Sequence, residues 1–284
     1  MKRILAILLA AVLAIGFFSI AASASPEPKP TTAWNVLTLI FLNVDVIVPD
    51  RPGRIIDSLN QDDVNHLIEV TSMIKESIPS ISGSLMSIDQ MDFVTIAEPI
   101  RVLNAGWNHM NHYVISDILD AHLAAGDYDH MILIAPLSQV ANGWLGLGGM
   151  AYRNVGVSQV QHRSGNTLGA ASEPPFPDAI FVHEMLHDIE RRSRAIKPNT
   201  ASLHDNALFG FPTAADEWRA WYTAYMRNSP EMNGRGIDPQ AYVVQRGAAP
   251  STITTLIQDI NIIFQTVLSW LSYGFNLVVW FFRF

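Results

Sequence analysis

The stretch PPFPDAIFVHEMLHDIERRSRAIKPN, residues 174–199, constrains the fold most because both of its ends are closed. The prolines of PPFPD (174–178) break any structure arriving from upstream, and KPN (197–199) breaks whatever precedes it. Between them, Ile180, Phe181, Met185, Leu186 and Ile189 include apolar pairs four residues apart among good helix formers, and Asp178 stands where an N-cap belongs. A helix is predicted. It carries His183 and His187 one turn apart on one face, about 6 Å along the axis, a spacing at which two imidazoles can converge on one ion.

Upstream, strands and helices alternate. TLIFLNVDVIV (38–48), MDFVTIAEPIRVL (91–103) and HMILIAPL (130–137) read as strands. DDVNHLIEVTSMIKESI (62–78) and HYVISDILDAHLAAG (112–126) read as helices. The glycine-rich GWLGLGGMAYRNVGVSQVQ (143–161) lacks the GxxxxGK[ST] pattern of a phosphate loop and reads as a turn feeding an edge strand. The expectation is an α+β fold, a mixed sheet packed on helices.

The chain has no cysteine, so thiol nucleophiles, disulfides and thiolate metal sites are excluded, and any ion must be held by His, Asp or Glu. Residues 1–24 read as a signal peptide: Lys2 and Arg3, an apolar run, then Ala22-Ser23-Ala24 as the cleavage site. An exported location is expected, secreted or on the outer face of a membrane. Without residues 1–24, 16 Lys and Arg remain against 26 Asp and Glu, a formal charge of −10, and a nucleic-acid partner is not expected.

A proline-rich spacer is expected over 25–33, one folded domain over 34–245 and a linker over 246–254. Residues 262–282 carry no charge, yet Gln258, Asn261, Gln265, Ser269, Ser272, Asn276 and Arg283 form a narrow polar stripe. Over 255–284 this predicts a hydrophobic, amphipathic helix that associates with a membrane.

HEMLH (183–187) resembles the HExxH signature of the zincin metallopeptidases, and an edge strand over 150–160 ahead of it would be similar to the substrate-pairing strand of that superfamily. LHDNALFGF (203–211) and the helix of DEWRAWYTAYM (216–226) resemble stretches of exported bacterial zincin-like sequences. The resemblance implies Zn²⁺ bound by His183 and His187, with Glu184 as general base on the attacking water and peptides or proteins as substrate. The metzincin continuation HExxHxxGxxH is not met, because Glu190 and Ser193 stand where its glycine and third histidine would be.

A third ligand must come from further along. His204 ranks first, Asp205 second and Glu217 third, while Glu190, about 10 Å along the helix from His183, better suits a carboxylate behind the ligands. Tyr222, Tyr225 and Tyr152 are candidate hydrogen-bond donors to an oxyanion, although Trp218, Trp221, Tyr222 and Tyr225 at helical spacing read first as core. A rival expectation is a non-catalytic, envelope-attached binding or structural module that keeps the fold without turnover.

Overall fold

The computed structural model describes residues 29–48, 53–104, 108–110, 112, 114–123, 127–140, 145–162, 177–212 and 218–246. The signal peptide (1–24), the C-terminal helix (255–284) and Glu217 lie outside them. Among the described residues no helix is long and apolar enough to cross a membrane.

In chain order the elements are β1 (Lys29–Thr31), β2 (Ala33–Phe41), β3 (Asn43–Ile47), β4 (Arg54–Ser58), α1 (Gln61–Ser72), α2 (Ile74–Ser82), β5 (Ser87–Ile96), α3 (Ser116–Leu123), β6 (His130–Ala135), β7 (Gly146–Tyr152), β8 (Val155–Gln161), α4 (Ala179–Ile196), α5 (Trp218–Arg227) and β9 (Val244–Arg246). Five strands form one sheet in the order β5-β2-β6-β8-β7. The first four are parallel to their neighbours, and β7 closes the edge antiparallel to β8. The architecture is thus mixed, with helices packed on a mostly parallel sheet.

Side-chain alternation sorts the core into two layers. Val36 and Ile40 of β2, Ile132 and Ile134 of β6 and Val160 of β8 face α1, α2, α4 and α5. Leu37, Leu39 and Phe41, with Met131, Leu133 and Val157, face the β3–β4 hairpin and α3. A sheet covered on both sides explains why β2 and β6 read as nearly unbroken apolar runs.

Four boundaries differ from the sequence reading. The run 38–48 divides at Leu42, whose N–H leaves the strand pattern to bond Ile96, and the second half turns into the antiparallel β3–β4 pair. The helix expected over 62–78 breaks at Met73, which ends α1 and opens α2. The edge expected over 150–160 is instead β7, with β8 enclosed between β6 and β7. Lys29–Thr31, expected in the spacer, pairs antiparallel with Val244–Arg246.

Candidate metal centre

Helix α4 lies under the β7–β8 edge on apolar residues that include Phe181, Val182, Met185, Leu186 and Ile189, all buried. Asp178 occupies its N-cap position, but its side chain makes no capping bond; it is buried and interacts with Ser77 of α2 instead. The helix start is thereby tied to a neighbouring helix.

The strand over α4 comes close because it has almost no side chains there. A Cβ on Gly146 would collide with the Glu184 carboxylate, and one on Gly148 with the Glu184 carbonyl and the His187 Cβ. Gly149 sits at φ +75°, a conformation open to glycine at little cost. These glycines seat β7 on the motif helix.

His204 reaches the helix on a loop clamped from both sides. Glu190 of α4 accepts the Leu203 N–H at 2.9 Å, Trp221 of α5 donates to the Leu203 carbonyl at 2.8 Å, and Tyr225 donates to the Ala201 carbonyl at 2.8 Å. Buried side chains thus satisfy the backbone of a loop that has no ladder of its own. Among the described residues, His183, His187 and His204 are the one set of three whose ligand atoms all lie within 4.8 Å of one another.

Their ring centres form a nearly equilateral triangle, 4.9 Å between His183 and His187, 5.1 Å between His183 and His204 and 5.0 Å between His187 and His204. A tetrahedral ion with nitrogens at about 2.0–2.1 Å places imidazole centres roughly 5 Å apart. The second ring nitrogens are already occupied. His183 Nδ1 shares a 2.8 Å hydrogen bond with the Tyr222 hydroxyl, and His187 Nδ1 lies 3.6 Å from Glu190 Oε2, leaving both Nε2 atoms for a ligand.

Electrostatics agree with that donor set. Burial, and then the neighbouring His187 and His204, push His183 down to about 3, and burial likewise lowers His204. Neutral rings present lone pairs, as an ion requires. Burial raises Glu184 to about 8 in the metal-free chain, and a divalent cation beside it would favour the carboxylate form. Glu190 is held below its ordinary value: burial would raise it, but His187, the Leu203 N–H and Arg194 outweigh that. The residues present fit a divalent metal ion.

The structure distributes the other candidates plainly. Asp205 turns its carboxylate to the Ser202 N–H at 2.8 Å and stays out of the triad. Tyr225 bonds the Ala201 carbonyl and Tyr152 bonds Asp120, so neither hydroxyl faces the histidines. Trp218 lies against His183, ring centres 5.5 Å apart, and walls a cleft of about 140 Å³ with Leu203, His204, Asn206 and Trp221. The part played by Gly146 and Gly148 was missed in the sequence; the available signal was glycine inside a strand, which marks a close backbone approach.

No protein-family model matches the chain, and no curated protein matches it.

Proposed function

We propose that the chain is an exported zinc-dependent metallopeptidase of zincin type, with His183, His187 and His204 as the ligands and Glu184 as the general base. The observation that carries this reading is the triangle of three imidazoles with Glu184 beside the first of them. Three nitrogen donors, with no fourth protein ligand grouped with them among the described residues, suit catalytic rather than structural zinc.

When bound, the ion supplies Lewis acidity that polarises a peptide carbonyl and brings the pKa of water to about 7. The chain's own residues do the remainder. The Glu184 carboxylate takes a proton from the water as its oxygen bonds to the carbonyl carbon, then gives that proton to the amide nitrogen as the C–N bond breaks. Tyr222 and Glu190 hold the His183 and His187 rings from behind. Strand β7 pairs with β8 on one side only among the described residues, so its other edge offers backbone groups to an extended peptide.

The test uses the full chain purified in mild detergent. Wild type should hold about one zinc and cleave peptides. Glu184→Gln should keep the zinc and lose turnover by about 10²- to 10⁴-fold. Stoichiometric zinc with no Glu184-dependent cleavage across a broad peptide library would favour the non-catalytic module.

A further inference from the structure

The residue directly after the second motif histidine is Asp188, and it is fully buried. A buried carboxylate is costly unless charge and dipoles answer it, and Asp188 is answered from two directions. On its own helix it pairs with Arg191, and with Arg192 at 3.2 Å. Across the interface its Oδ2 lies 3.6 Å from Nδ1 of His130, the first residue of β6, which is also fully buried. His130 Nε2 in turn shares a 3.0 Å hydrogen bond with the buried Ser158 hydroxyl of β8.

The space that Asp188 enters exists because its fourth wall is glycine. Gly156 is the register partner of His130 on β8, and a Cβ there would collide with both the Asp188 carboxylate and the His130 ring. Asp188 is therefore a key in a slot cut between two neighbouring strands. Arg192 extends the same lock to β2, its guanidinium carbon lying 4.7 Å over the Trp34 ring. Ser, His and Asp in this order would suggest a nucleophile, but all three are sealed from solvent.

A slot of this kind fixes where α4 sits along its own axis, since sliding the helix would drive the carboxylate into the strands. We propose that Asp188, held between His130 and Gly156, is the positioning residue that sets the reach of His187 toward the metal ion. The inference rests on the triad being a metal site. It assigns the polar start of β6 and the glycine of β8, neither of which touches the histidine triad, to the geometry of that site.

The experiment measures zinc affinity by chelator competition, and the visible spectrum of the Co²⁺-loaded full chain, well below the unfolding transition. The variants are His130→Leu, His130→Asn and Asp188→Asn. His130→Asn keeps an amide near the position of Nδ1, so it should retain near wild-type affinity and spectrum. His130→Leu and Asp188→Asn should weaken zinc by about 10- to 100-fold and alter the Co²⁺ spectrum while the chain stays folded. If His130→Leu does not fold, the comparison of Asp188→Asn with His130→Asn decides.

Lower melting temperatures with unchanged zinc affinity and Co²⁺ spectrum would reduce the slot to a packing device and overturn the proposal. Absence of zinc binding in wild type would instead overturn the metal-site reading, and this inference with it.

Discussion

The hydroxyl of Tyr222 and Nδ1 of His183 share a 2.8 Å hydrogen bond, so the helix after the histidine loop holds the first motif histidine from behind. This makes Tyr222 an orienting group of the candidate metal centre. Tyr222→Phe is expected to weaken zinc about tenfold or more in competition titrations. Unchanged affinity with lost turnover would put the hydroxyl on the substrate instead.

Glu190 links two of the three clustered histidines through one oxygen, since Oε2 faces His187 and accepts the Leu203 N–H next to His204. Glu190→Ala leaves a buried N–H without its acceptor. Urea unfolding of the metal-free protein should show a loss of about 1–3 kcal/mol. The loop before His204 should also become the first site of nicking by an added protease.

Gly148→Ala tests the contact between β7 and α4. The atoms its Cβ would meet are backbone and the root of a side chain, which cannot swing aside. A loss of about 1–3 kcal/mol or more is expected in chemical denaturation. Leu147→Ile, beside it on the same strand, should cost less than this.

His112 gives a pH dependence on the opposite face of the sheet, where it packs on the Tyr152 ring. Burial, with the His109 charge adding to it, lowers His112 from 6.5 to about 4. The unfolded chain then binds a proton that the folded chain refuses, so stability is full above pH 6.5 and falls as the pH drops toward 4. A loss of up to roughly 3 kcal/mol is expected from this group. His112→Gln should flatten the stability profile in that window; an unchanged profile would mean the ring is not held neutral.

Much of the candidate site could be read from the sequence because a helix is local. His183, Glu184 and His187 need only the 3.6-residue period to share a face. His204 stands seventeen positions after His187 in a loop, and only long-range packing brings its ring beside the other two. The supports were harder to read. Gly146 and Gly148 answer atoms almost forty positions later, and the Asp188 slot unites β6, β8 and α4, so no local pattern announces either. The break at Met73 was hidden for the opposite reason: apolar spacing runs on through 62–78 although the helix ends and restarts.

The antiparallel pairing of β1 with β9 brings the two limits of the described domain together. Lys29 lies opposite Arg246 and Thr31 opposite Val244, so the first and last described residues sit side by side, about one strand spacing of 5 Å apart. The described chain begins and ends on a single two-stranded stem. That stem is held together by three residue pairs and tied to the body of the domain by the Trp34 indole, which donates to the Tyr242 carbonyl, so the described chain closes on itself where it starts.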